Sequence, residues 1–325
     1  GDVAVAVHPD DERYKKLVGT RILLPIVDKE IPIIADEYVD MSYGTGAVKI
    51  TPAHDPNDFE IAKRHDLPLE SIISPEGKMI NVPAQFLGLT PVEARARVLE
   101  ALEALELRRG ETEIEHAVGH CYKCGSVIEP MIKEQWFIKT QSLAQPAIDA
   151  LKKEEITFYP ASKRKELIAY LEQLKDWNIS RQIPWGIPIP AFVNENDPKD
   201  WIFDTRTNEQ SIVVNDTTYI REEDTFDTWF SSGQWPYIVT DYLTGGDLAN
   251  YFPTDMMETG MDIMRAWVSR MIMLSLYRTG KLPFKEVYLH GMVNDEHNQK
   301  MSKSKGNVIN PMELVAEFGS DATRM

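Results

Sequence analysis

Over the first ninety residues the apolar positions fall in short runs, 3–7, 22–27, 31–35 and 47–51, separated by turn formers such as Gly44-Thr45-Gly46 and Pro52. Runs of that length, bounded by Gly and Pro, predict a β-rich region. At Thr90 the pattern changes to helical. Thr90 can act as N-cap, Pro91 sits at the first helical position, Glu93 completes a capping box and Gly110 lies beyond the end, with Val92, Leu99, Leu102 and Leu105 as the apolar stripe. Two more helical stretches, 141–153 and 160–175, flank a break at Phe158-Tyr159-Pro160. Residues 194–224 are mostly polar and predict a surface insertion with one hairpin around Asn215. Beyond it, strand-like runs at 225–231, 255–259 and 287–293 alternate with a long helix over 261–278 closed by Gly280. That βαβ rhythm predicts a parallel sheet with a crossover helix, so the fold class is α/β. The last stretch, 296–325, opens as a Lys- and Ser-rich loop and ends in a helix.

Composition sharpens this picture in three places. A chain of 325 residues with 43% hydrophobic content can bury two cores. The most apolar stretch, 261–276, is interrupted by Asp262, Arg265 and Arg270 and reads as a core helix, so no membrane partner is expected. A net charge of −16 argues against a general nucleic-acid binder, yet residues 121–190 carry +2 and include Lys163-Arg164-Lys165. That run is either a solvated charge cluster, the commoner case, or a local RNA-facing surface. The two cysteines, Cys121 and Cys124, cannot make a disulfide framework and suit a reducing, cytoplasmic compartment. With His120 and Gly125 they form a knuckle shape that can supply half of a tetrahedral zinc site. A reduced, metal-free knuckle is the default expectation.

The most specific stretch is Lys300-Met301-Ser302-Lys303-Ser304-Lys305-Gly306-Asn307, about ten residues after His290-Gly291-Met292-Val293. Mobile ammonium groups in such a loop can neutralise charge developing on phosphate oxygens. The residues spell the KMSKS signature, and the chain resembles the class I aminoacyl-tRNA synthetases. The finer resemblance is to the valyl-tRNA synthetase family, carried by the stretch from Gly44 to Asp58 with its Lys49 and His54-Asp55-Pro56, by Asp227-Thr228-Trp229-Phe230-Ser231-Ser232 and by Trp267-Val268-Ser269-Arg270-Met271.

The resemblance implies a β-rich editing domain inserted into a Rossmann-like parallel-sheet catalytic domain. Residues 1–118 would be the C-terminal part of the editing domain, 119–193 the return segment with the knuckle and 194–224 a surface insertion. Residues 225–295 would be the second half of the catalytic domain, and 296–325 the signature loop and the start of a following helical region. The implied activity is ATP-dependent joining of valine to its tRNA, with hydrolysis of mischarged threonyl-tRNA, ATP arriving with Mg2+. Activation needs no protein nucleophile, because the amino acid's own carboxylate attacks the α-phosphate. Trp229 and Trp267 would wall the valine pocket; without the motif they would read as core tryptophans. Gly260 and Asp262 would meet the ribose. His290, Gly291, Met292 and Val293 would belong to the ATP site, the last two offering backbone groups to adenine. Lys300, Ser302 and Lys303 would face the triphosphate, with Lys300 and Lys303 catalytic.

A valine-shaped pocket cannot strongly reject threonine; the valyl enzyme facing threonine is the known worked case of that limit. Asp58 would therefore hold a threonyl ammonium, Lys49, Thr51 and Asp55 would surround the threonyl hydroxyl, and Tyr43 would form an aromatic wall. On residue type alone Asp55 and Asp58 also suit helix caps, because Phe59 onward reads helical. The HIGH signature, the threonine-rich editing strand and the anticodon-binding domain are not in this sequence, so an internal piece of a monomeric parent is expected, holding half of each site. A second Cys pair is also missing, so His116 or His120 would have to complete any zinc site. The rival readings are an isoleucyl-tRNA synthetase piece, a non-catalytic tRNA-binding piece and a free-standing editing hydrolase.

Overall fold

A computed structural model describes all residues of the chain except 112, 114, 122, 123, 207, 208, 303–305 and 325. The chain divides into two compact units, Gly1–Glu134 and Gln135–Met325.

The first unit is built on strands β1 (Ala4–Val7), β2 (Arg21–Leu24), β3 (Lys29–Ala35) and β4 (Ala47–Ile50) in the order β2-β3-β1-β4, with β1 and β3 parallel and the other pairs antiparallel. The four apolar runs of the sequence thus form one sheet. Val3, Ala4, Ala6 and Ile50 bury one face against Ile61 of helix α1 (Pro56–His65). Helix α2 (Pro91–Ala104) starts as expected, with Thr90 accepting from the Glu93 N–H and Glu93 reaching back to the Thr90 N–H. Its buried face differs from the predicted stripe. Val92, Leu99 and Leu105 are exposed, while Ala94 packs with Ile73 and Met79. The small residue turns inward because a loop, 71–89, and not a sheet, lies against this helix; the helix also ends well before Gly110, with Glu106 in a left-handed conformation.

In the second unit β5 (Phe137–Ile138), α3 (Gln141–Lys152), β6 (Thr157–Tyr159) and α4 (Ser162–Glu172) precede β7 (Trp177–Asn178) and β8 (Ser180–Arg181). The break predicted at 158–160 is strand β6, a missed element. It forms one edge of a three-stranded parallel sheet with β14 (Thr254–Gly260) and β15 (Phe284–His290), in the order β14-β15-β6. The connection from β14 to β15 is the expected crossover, but its helix is composite: a 3-10 turn at Met261–Ile263, a π-turn at Met264–Val268, then α7 (Ser269–Thr279), closed by Gly280 at φ 68°. Met264, Val268, Met271 and Ile272 of this connection pack on Phe158, Val287 and Leu289 of the sheet.

The polar insertion is a four-stranded antiparallel sheet, with β9 (Ala191–Asn194), β10 (Asp197–Phe203), β11 (Ser211–Val214) and β12 (Thr217–Arg221) in the order β10-β9-β12-β11. It has two hairpins, not the one predicted. The second turns at Asn215 and Asp216, φ 50° and 60°, the residue types that tolerate this geometry; the first is masked in the sequence by the polar, Pro-containing start of β10, where the register slips between Asp197 and Trp201. Residues 225–231 are not a strand either. Only β13 (Thr225–Phe226) pairs, with β8, and Asp227 then caps α5 (Thr228–Ser232), followed by α6 (Trp235–Val239). Helices α8 (Pro311–Phe318) and α9 (Ser320–Arg324) close the unit.

Candidate functional site

The C-terminal ends of β14 and β15 lie side by side, with Gly260 in register with His290. In open parallel sheets this edge is where ligands bind. Asp262, in the turn that leaves β14, pairs with Lys300 Nζ, and that ammonium holds its carboxyl below the usual carboxylate range. Gly260 is needed for space, not for backbone freedom: its φ is −67°, but an added Cβ would stand 2.7 Å from Asp262 Oδ1 and 3.0 Å from Met292 Sδ. His290 Nδ1 bonds the Glu258 carboxylate, a partner the sequence did not single out. Gly291 stands in open space and Val293 is exposed. Asn307 fastens the signature loop. Its Oδ1 accepts from the Ser302 N–H at 2.9 Å and its Nδ2 donates to Asp295 at 2.7 Å. Lys303, the second expected catalytic lysine, lies outside the described residues, as do Ser304 and Lys305.

Trp229 and Trp267 come from neighbouring elements, α5 and the π-turn, and both are half-buried. The Trp267 indole N–H donates to the Ser232 carbonyl at 2.9 Å, tying the two elements directly. Asp227 accepts from the Trp229 N–H at 3.3 Å and is itself buried, held by Trp177 Nε1 at 2.8 Å and Arg181 at 3.1 Å.

The first unit gathers a second polar cluster at the end of β4. Lys49 Nζ donates to Thr51 Oγ1 at 2.8 Å and lies 3.9 Å from Asp58; Thr51 Oγ1 donates to Asp2 at 2.5 Å, and the Thr51 N–H donates to Asp58 at 2.7 Å. Burial pushes the Asp58 carboxyl up from its ordinary value, against the Thr51 N–H and the Lys49 ammonium that pull it down. Asp55 serves as the cap of α1, accepting from the N–H groups of Asn57 and Asp58 at 2.8 and 3.1 Å. Asp2 was missed by sequence reasoning, since only the pairing of the segment before β1 with β4 brings it to Thr51. Tyr43 is exposed. An apolar cavity of about 280 Å3 opens beside Asp2, between Ile72, Met79, Phe86 and Val98. His54 is a brace: it accepts from the Ile72 N–H at Nε2, so its Nδ1 carries the proton and donates to the Pro130 carbonyl, each at 2.9 Å.

Two remaining sequence features resolve differently. Among the described residues no third His, Cys, Asp or Glu joins Cys121 and Cys124 in a group, and His120 Nδ1 bonds the Gly125 carbonyl at 2.7 Å. The Cys124 thiol is pulled down to about 7 by Ser126, first by its hydroxyl and then by its N–H, with Cys121 adding to the effect. Within the basic run Lys163 pairs with Glu166 at 2.7 Å and Arg164 with Glu154, and Glu166 also pairs with Arg265 at 3.0 Å. It reads as a solvated ion-pair cluster. No helix among the described residues is long and apolar enough to cross a membrane.

Residues 26–325 match the family model for tRNA synthetases class I (I, L, M and V). Among curated relatives, the chain is 46% identical over 326 residues to a valine–tRNA ligase of Treponema denticola, covering all of this chain and 36% of the relative. It is 44% identical over 330 residues to that of Fusobacterium nucleatum, covering 99% and 37%, and 43% identical over 325 residues to that of Thermotoga maritima, covering 100% and 38%. The chain therefore spans little more than a third of the length of the relatives it matches. Its mixed α/β architecture, its parallel sheet with a glycine and a carboxylate at the strand ends, and a family match that runs through the signature loop agree: the chain belongs to the class I tRNA synthetases of the isoleucine, leucine, methionine and valine group.

Proposed function

We propose that this chain works as the corresponding portion of a valine–tRNA ligase, activating valine with ATP, transferring it to tRNA and hydrolysing mischarged threonyl-tRNA. The observation that carries the reading is identity of 42–46% to valine–tRNA ligases along the whole chain. The site chemistry supports it. Asp262 suits a ribose, whose two hydroxyls one carboxylate can accept from, and Gly260 lets that carboxylate and Met292 lie close to the strand end. Lys300, now neutralising Asp262, would turn to the triphosphate when ATP brings charge of its own. Magnesium would arrive as part of the MgATP substrate, held by its phosphates. Trp229 and Trp267 offer rigid apolar walls to a branched aliphatic side chain.

The first unit, on this reading, belongs to an editing domain inserted in the catalytic one. A threonyl ester presents an ammonium and a hydroxyl. Asp58 would meet the ammonium, while Lys49 and Thr51, with Asp2 behind Thr51, would recognise the hydroxyl. Asp55 contributes through the cap it makes for α1.

The test is amino-acid-dependent exchange of pyrophosphate into ATP, on a ligase of the relatives' length carrying this chain, with valine, isoleucine and threonine side by side. Strong exchange with valine and weaker exchange with threonine is the expected result. Exchange driven by isoleucine would move the assignment to the isoleucyl enzymes, and none with any amino acid would leave a tRNA-binding module.

A further inference from the structure

Arg270, on α7, is buried to nine-tenths, and among the described residues no carboxylate pairs with it. Its Nη1 donates to the Arg265 carbonyl and to Tyr170 Oη, each at 2.8 Å, and lies 3.1 Å from Ser269 Oγ. Its Nε has no hydrogen-bond partner among the described residues. Its guanidinium carbon stands 4.8 Å from the centre of the buried Trp177 ring. A buried cation without a carboxylate is costly, and an apolar side chain of similar volume would fill the space without that cost. The contacts say what the cation does instead.

Apart from the bond to Tyr170, these contacts lead to the walls of the proposed amino-acid pocket. The Arg265 carbonyl belongs to the π-turn that carries Trp267, and Ser269 Oγ donates to that same carbonyl at 2.5 Å. Trp177, held under the guanidinium, donates its indole N–H to Asp227, the cap of the helix that carries Trp229. Gly233 at the end of α5 lets that helix close on α7: an added Cβ there would stand 2.9 Å from Arg270 Cβ and 2.9 Å from Leu274 Cδ1.

We infer that Arg270 is a positioning residue that fixes the distance between Trp229 and Trp267, and with it the discrimination of valine from larger side chains, acting through the Arg265 carbonyl on one side and through Trp177 and Asp227 on the other. The inference rests on the proposed valine pocket. A pocket that excludes one extra methylene must be rigid on a scale well below an ångström.

The experiment uses a full-length ligase carrying this chain, with Arg270→Met, Arg270→Lys and Trp177→Phe. Pyrophosphate exchange is measured with valine and isoleucine, and unfolding temperature in parallel. Arg270→Met is expected to unfold at or above the temperature of the unsubstituted protein, because an apolar replacement carries no desolvation cost. Its KM for valine should rise about tenfold, the scale set by sub-ångström misplacement, while the KM for ATP stays within about twofold. Isoleucine should suffer less, so the valine preference narrows. Arg270→Lys should recover part of the valine KM, since an ammonium can still sit over the Trp177 ring. Trp177→Phe, which keeps the ring and loses the bond to Asp227, should repeat the Arg270→Met effect. If Arg270→Met folds normally and keeps both the valine KM and the valine preference, the inference is wrong. It is equally wrong if all three variants lose stability and the KM values for ATP and valine move together. Absence of valine exchange in the unsubstituted protein is a separate result, which overturns the proposed function before any variant is compared.

Discussion

Asp58 is the place where stability and chemistry should part. Its side chain is 8% exposed, it accepts from the Thr51 N–H at 2.7 Å, and the Lys49 ammonium is farther, at 3.9 Å, and largely exposed. Burial raises its folded pKa above the ordinary carboxylate value, so between those two values the folded protein binds more protons than the unfolded one. Stability from this group is therefore greatest at acid pH and falls as pH rises through that window. Asp58→Asn keeps an oxygen for the Thr51 N–H and removes the buried charge; at pH 7 it should match or exceed the wild type. Asp58→Ala leaves a buried N–H without a partner, which costs about 1–3 kcal/mol. In a unit of this size that is a loss of roughly 4 °C per kcal/mol in thermal unfolding. Circular dichroism at pH 7 and pH 4 gives the comparison, and the gap between wild type and Asp58→Asn should close at pH 4. If the first unit edits as proposed, both variants lose deacylation of threonyl-tRNA, because neither offers an anion to the ammonium. If Asp58→Asn loses as much stability as Asp58→Ala at pH 7, the reasoning fails: the charge, through Lys49, would then matter more than the hydrogen bond.

Three further outcomes follow from the geometry. Asp36 is buried, which pushes its carboxyl up, but donors from the Tyr38 N–H, His65 and Arg64 more than offset this and hold it below the usual range; its contribution is present above the ordinary carboxylate pKa and lost as pH falls through the depressed one. Asp36→Asn should cost about 2–4 kcal/mol at pH 7, with the difference from wild type shrinking toward pH 3 in urea melts. Thr90→Ala breaks the capping box of α2 and should lower stability by about 1 kcal/mol, read as a shift of the urea midpoint with the slope unchanged. Gly260→Ala should raise the KM for ATP about tenfold and leave the KM for valine alone, since its Cβ would meet Asp262 and Met292; an unchanged ATP affinity would remove Gly260 from the nucleotide site.

Much of this was legible because the signals are local. The capping box at Thr90, the cap at Asp55, Gly280 beyond α7 and the four runs of the first sheet are set by neighbours within a few residues, so periodicity and turn chemistry find them. What escaped depends on distant partners. Strand β6 is three residues long and gains its identity only by pairing with β15, more than a hundred residues later. The strand-like look of 225–231 comes from core aromatics that a carboxylate cap turns into a short helix. In the sites, motif positions such as Gly260, Asp262, Lys49 and Asp58 were visible as residue types, whereas Asp2, Glu258 and Arg270 became meaningful only once the fold delivered them to Thr51, His290 and Trp177.

If Trp267 walls the amino-acid pocket as proposed, the π-turn at Met264–Val268 makes the reading frame of this helix part of the specificity. Such a turn holds one residue more than an α-helical turn would, and each residue is worth about 100° of rotation around the axis. Removing Val268 would shorten that turn to α-helical length and leave Met271, Ile272 and the sheet contacts downstream where they are. Trp267, just upstream of the deletion, would swing by about a quarter turn and leave Ser232. With Trp267 as the proposed pocket wall, a single-codon deletion at 268 should thus yield a protein that folds but discriminates its amino acid poorly, a loss that screens for solubility would pass unnoticed.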